Sequence, residues 1–283
     1  MLGYSRQKFY RAIWRQAKRQ DKVEKAISEV EKLRCEMPRL GCRKVYRCLY
    51  EQMRSINVGR DKLFTILKAN GMLIKPYRSY HITTNSHHRF HKHKNLVENM
   101  EINGPEQVFV SDITYVGCRN RHMYLALITD AYSKKIMGFD LSSSLDTKGA
   151  LRALKMANSN RMYRDNKTIH HSDRGIQYCS DLYQKWLRKF KFEVSMTESY
   201  DPYANAVAER VNGILKQEFL LEEYDLSLGE MNRVVTDAIN TYNTKRPHYS
   251  CHYLTPEQMH LQTEVEIKTY KKSHRCWASP TTV

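Results

Sequence analysis

The sequence predicts an α/β protein: a mixed sheet that begins as an antiparallel meander, preceded by a wholly α-helical region. Three observations carry this. Residues 108–115, 123–129 and 136–141 are β-branched and aromatic runs joined by short turns, the pattern of hairpin-linked neighbouring strands. After them the pattern alternates: a helix near 146–158, a strand ending at Asp173, a helix near 180–190 and a strand over 192–196. Before them, residues 5–68 show only helical periods and hold most of the positive charge.

In order, the chain opens with a long helix over 5–36, Ser5 being its candidate N-cap. Its first half interleaves Lys8, Arg11, Arg15, Lys18, Arg19 and Lys22 with Phe9, Tyr10, Ile13 and Trp14. Its second half sets Val23, Ala26, Ile27, Val30 and Leu33 on one stripe, which either packs within the chain, the expectation here, or zips onto another subunit. Two short amphipathic helices follow over 41–50 and 60–68, the second ended by Asn70-Gly71. Arg43, Lys44, Arg60 and Lys62 near their starts are candidate DNA contacts, consistent with a helix-turn-helix, although any small helical bundle shares this pattern.

Of the formal net charge of +17, residues 1–100 carry +15 and residues 101–283 only +2. That asymmetry implies a nucleic-acid-binding arm on a more neutral body, the plain alternative being a basic soluble surface. Within the basic linker, His81, His87, His88, His91 and His93 suggest either a zinc site or a solvated stretch touching phosphates; with no cysteine nearby, the second is expected. The chain then divides into a helical region 1–74, a linker 75–103, an α/β body 104–262 and a basic tail 263–283. No secretory leader and no run of about 18 apolar residues is present, which predicts a soluble cytoplasmic protein with no membrane partner. Seven scattered cysteines without a C-x-x-C pair are expected to be reduced thiols.

Three acids of the body stand out. Asp112 lies mid-strand, where a charge is expensive to bury without a metal or partner. Asp173 ends the fourth strand before Arg174-Gly175, at the sheet edge where open α/β folds place their chemistry. Glu209 rides on a helix that Asp201-Pro202 begins; Val207, Val211, Leu215 and Phe219 form its buried face and Asn205, Glu209, Asn212 and Lys216 the other. Three converging carboxylates suit two Mg2+ or Mn2+ ions about 3.5–4 Å apart, acting on a phosphodiester. The plain alternative is ion pairing with neighbours such as Arg174 or Arg210. Asp130 and Asp140 read as solvated or turn-capping, Asp181 as a helix N-cap, and His171 as either a support for Asp173 or an ordinary half-buried histidine. Lys216 could grip a phosphate or be merely solvated. A helix near 227–243 and another starting at Thr255-Pro256 close the body.

The acids, with 35 residues between Asp173 and Glu209, resemble the D,D(35)E arrangement of the retroviral-integrase superfamily. Asp112-Ile113-Thr114-Tyr115, His171-Ser172-Asp173-Arg174-Gly175, Asn205-Ala206-Val207-Ala208-Glu209 and Tyr242-Asn243-Thr244-Lys245-Arg246-Pro247-His248 make the chain similar to the second-frame protein of IS-three-family bacterial insertion sequences, over most of residues 38–262. The resemblance implies a ribonuclease-H-like integrase core behind a helix-turn-helix-like segment, with Asp112, Asp173 and Glu209 as metal ligands. It also implies a transposase that binds terminal inverted repeats, acts on element-end and target DNA by direct 3′-hydroxyl attack, assembles as a homo-oligomer on the nucleoid, and works with an upstream-frame protein or as a frameshift fusion. Two rival readings are a ribonuclease-H-like nuclease that cuts without joining, and a catalytically idle repressor that occupies DNA ends.

Overall fold

In the computed structural model, residues 6–75, 93–98, 100–118, 122–197 and 206–262 are described. The first helix, α1 (Arg6–Glu36), is continuous over 31 residues. Its second half packs within the chain as expected: Ala26 and Val30 are fully buried, and Val23, Ile27 and Leu33 lean on the same cluster. Three short helices follow where the sequence pattern suggests two: α2 (Cys42–Cys48), α3 (Tyr50–Ser55) and α4 (Arg60–Ala69). Leu49 alone separates α2 from α3, ending one and starting the other. A one-residue break leaves the apolar period intact, which is why it leaves no mark in the sequence.

The meander is present as β1 (Val108–Val116), β2 (Met123–Asp130) and β3 (Ile136–Ser142), antiparallel throughout. Helix α5 (Thr147–Ser159), capped by the Asp146 carboxylate accepting from the Lys148 N–H, crosses to β4 (Ile169–Ser172). Then come α6 (Ile176–Cys179), α7 (Asp181–Lys189) and β5 (Glu193–Met196). Strands β4 and β5 run parallel, giving the order β3-β2-β1-β4-β5. The described residues finish with α8 (Ala206–Glu218), α9 (Leu228–Thr244) and α10 (Pro256–His260), the last two opened by Ser227/Glu230 and Thr255/Gln258 capping boxes.

Alternation along the strands divides the core between two faces. Phe109, Ala126 and Ile128 meet α5 and α7, whereas Leu125 and Leu127 meet α8 and α9. The second cluster continues without interruption into Leu40, Val45, Met53 and Leu63 of the N-terminal helices. The basic region and the body are therefore fused by one apolar core.

Three acids differ from their sequence reading. Asp181 is the first residue of α7, and the N-cap is Ser180, whose hydroxyl accepts from the Tyr183 N–H. A hydroxyl on an extended residue reaches that donor, while Asp181 adds favourable charge to the first turn. Asp130 does cap its turn but is not solvated. Fully buried, it accepts from the Glu106 and Ser133 N–H groups and the Ser133 hydroxyl. Asp140 is bound by Arg152 at 2.6 and 2.8 Å instead of standing free in water. The six described cysteines are free thiols.

Candidate active site

Two of the three acids are placed by strand register. Ser111 of β1 stands opposite Ser172 of the parallel strand β4, so Asp112 and Asp173 are the next residues on adjoining strands. Neighbouring strands lie about 4.8 Å apart, which brings the two carboxylates side by side at the edge where β4 ends. There the chain turns sharply, and the Gly175 N–H donates to Asp173 Oδ1 at 3.0 Å. A Cβ on Gly175 would stand 2.9 Å from that oxygen, so a larger residue would push the Asp173 carboxylate aside.

The third acid comes from α8, which packs against β1. Glu209 is solvent-exposed in its first turn. One turn on, the Asn212 amide is buried and its Nδ2 donates to Asp112 Oδ2 at 2.6 Å. Burial first, then the charges of Asp173 and Glu209, push the Asp112 carboxyl up to about 8, with the Ile113 N–H and Lys216 opposing. Asp112 thus lies in the negative field of two further acids. Among the described residues no three acidic, imidazole or thiolate groups form a closed ligand set. Hard carboxylate oxygens of like charge nonetheless suit a hard divalent cation.

Other candidates fall variously. Asn205 and the Asp201-Pro202 start lie outside the described residues, as do all the linker histidines except His93. Lys216 reaches Glu222 at 2.9 Å, and Lys44 reaches Glu218 at 2.7 Å. Arg43, Arg60 and Lys62 are exposed, Arg60 beside Asp61 at 2.9 Å. Arg43, Lys44 and Arg60 line one open groove of about 420 Å³ together with Phe64. His171 is fully buried, its Nδ1 bonded to Ser195 Oγ on β5 at 2.9 Å.

Sequence reasoning missed the junction at the far end of α8. Glu218 takes both Nε and Nη2 of the buried Arg246 at 2.8 Å and Nζ of Lys44, and its carbonyl accepts from the Arg39 N–H. Burial pushes the Glu218 carboxyl up, but Arg246 and Lys44 more than reverse this and leave it lowered. The only sequence signal was that Arg246 belongs to the Tyr242–His248 phrase, which says nothing of its partner.

A five-stranded mixed sheet in this order, with two acids on adjoining parallel strands and a third on a helix packed against the first of them, defines a ribonuclease-H-like core of the integrase class. The integrase core domain family matches residues 102–202, and a second integrase core domain family matches residues 191–256. The insertion element IS600 uncharacterized 31 kDa protein of Shigella sonnei is 30% identical over 262 residues, 90% of this chain and 94% of that protein. Transposase InsF for insertion sequence IS3A of Escherichia coli strain K12 is 33% identical over 194 residues, 68% of this chain and 67% of that protein. Among solved structures, the HTLV-2 integrase catalytic core domain in complex with magnesium matches at 19% identity and a TM-score of 0.44, covering 56% of this chain and 97% of that one. The chain belongs to the IS3 family of insertion-sequence transposases. Among the described residues no helix is long and apolar enough to cross a membrane.

Proposed function

We propose that Asp112, Asp173 and Glu209 bind two divalent ions, Mg2+ or Mn2+, and catalyse strand cleavage at the ends of the element followed by strand transfer into target DNA. When bound, the ions would stabilise charge on the attacking and leaving oxygens. The protein's part is placement. The sheet sets Asp112 and Asp173 on adjoining strands, Asn212 holds one oxygen of Asp112, and α8, packed on β1, carries the Glu209 whose charge acts on Asp112. In strand transfer the 3′-hydroxyl of the element loses its proton and forms a new bond to phosphorus. The bond from that phosphorus to the displaced 3′-oxygen of the target breaks, and this oxygen takes up a proton. One phosphodiester replaces another, so no energy-rich cofactor is consumed.

Arg43, Arg60 and Lys62 contact DNA in this reading, while Lys44 and Lys216 reach phosphate only by leaving Glu218 and Glu222. The working form is a homo-oligomer on DNA, joined by an upstream-frame protein or fused to it by frameshifting. The observation that carries the proposal is the Ser111–Ser172 register, which sets two acids of distant sequence on adjacent strands. Its test is a labelled element-end duplex incubated with Mg2+ or Mn2+ and either the wild-type chain or Glu209→Gln. Joined products that require metal and vanish in the variant are expected. Cutting without joining would point to a hydrolase, and binding without chemistry to a repressor.

A further inference from the structure

The first half of α1 has two faces of opposite chemistry. At 100° per residue, Phe9, Tyr10, Ile13 and Trp14 fall on one arc, and they are 60%, 58%, 49% and 63% exposed. Lys8, Arg11, Arg15, Arg19 and Lys22 fall on the opposite arc, and Lys18 stands at the border, its Nζ 4.9 Å over the Trp14 ring. The aromatic arc is not an extension of the stripe that α1 buries in its own core. Ala26 and Val30 lie about two fifths of a turn around the helix from its centre.

Along the exposed arc, Arg6, Tyr10, Ile13, Ala17, Gln20 and Glu24 are spaced four, three, four, three and four, the seam of a two-helix coiled coil. The seam is charged only at its ends, Arg6 at one and Glu24 at the other. Two copies laid antiparallel about a two-fold axis set each Arg6 against the other copy's Glu24, with Tyr10, Ile13 and Ala17 between. A parallel pair would oppose Arg6 to Arg6. The basic arcs point away from each other in the antiparallel pair, so they neither repel closely nor lose access to phosphate.

We propose that this face docks a second copy of the same chain as an antiparallel α1–α1 pair, which presents two outward-facing basic ridges to DNA. The inference supplies a surface for the oligomer of the preceding reading, and does not depend on the acids. Residues 6–24 span about 28 Å, and four half-exposed side chains cover on the order of 400 Å² per copy. That is below the usual size of a permanent interface, so the pair is reversible and reinforced when DNA holds two chains together.

The test is sedimentation equilibrium of the full chain over a concentration series. Wild type is expected to associate, and Ile13→Glu with Trp14→Glu to weaken association at least about tenfold while leaving helix content unchanged. Arg6→Glu alone should weaken it, and adding Glu24→Arg to the same chain should restore it. Failure of that restoration overturns the antiparallel register. Wild type that stays monomeric with or without an element-end duplex overturns the pair altogether. Loss of DNA affinity in the Ile13/Trp14 variant with no change in mass would assign the face to DNA instead. Strand transfer by Glu209→Gln tests the catalytic reading separately and leaves this one untouched.

Discussion

The 2.6 Å contact from Asn212 to Asp112 gives the acid a fixed orientation before anything binds. In the proposed site Asp112 holds a metal, and losing a partner that orients a metal ligand commonly costs about 10–100-fold in metal affinity or activity. Asn212→Ala is therefore expected to lower the strand-transfer rate within that range while DNA affinity moves by less than about twofold, read by single-turnover joining and by fluorescence anisotropy. Unchanged joining would remove Asn212 from any supporting role. Arg246 makes a different prediction, about stability. With 1% of its side chain exposed, it meets Glu218 through two bonds. Breaking a buried pair from one side costs about 3–5 kcal/mol because the other charge stays behind, so Arg246→Ala should lower the urea midpoint steeply. Glu218→Gln in the same chain should recover part of that loss, and strict additivity of the two would show that they do not interact. Spacing and wording mark the three acids in the sequence, and the strand register sets Asp112 and Asp173 on adjoining strands. Asn212 was legible as a member of the Glu209 face but not as a bond to Asp112, since the two are 100 residues apart and only folding brings them together.

Elements were legible wherever their period ran long enough. The meander declared itself through alternation and its turns, and α1, α5, α7 and α9 through helical spacing. The short helices α3 and α6 did not, because six and four residues make too few turns to set a period. One contact between elements was equally invisible. Gly138 lies on β3 where α5 crosses, and a Cβ there would collide with the Ala153 carbonyl oxygen and lie 2.6 Å from the Ala157 nitrogen. Both are helix backbone and cannot rotate aside. Gly138→Ala should therefore push α5 off the sheet and destabilise by at least about 1–3 kcal/mol, measured by urea unfolding. A variant as stable as wild type would mean that α5 shifts without loss.

Across the whole molecule, buried charge and buried imidazole set how folding answers to pH. Beneath α10, His260 lies between Asp130 and Glu106, and Glu106 also holds Arg161 at 3.2 Å. These residues come from four separate stretches, so no local pattern announced the cluster. The carboxylates raise the His260 imidazole against the effect of burial. A raised histidine contributes stability that is present at low pH and lost as pH climbs through its folded value. Two other histidines act in the opposite sense. Burial first, then His171 in one case and Arg246 in the other, push His170 and His248 down to about 3. Both stay neutral in the folded chain below the pH at which the unfolded chain takes up protons. Each therefore removes about 1.4 kcal/mol per pH unit once pH falls below about 6.5, down to near 3. The Asp112 carboxyl, pushed up to about 8, gains stability over the same range and offsets one of the two, so the urea midpoint should fall between pH 6.5 and 5.5 with about one histidine's slope, and His248→Gln should remove most of it. His170 is bonded to Ser111 at 2.7 Å and Tyr183 at 2.9 Å, and it anchors β4 beside the strand that carries Asp112. Acid should accordingly loosen the acid-bearing edge of the sheet along with the global fold. A midpoint that does not move between pH 6.5 and 5.5 would mean that these two imidazoles gain protons without unfolding.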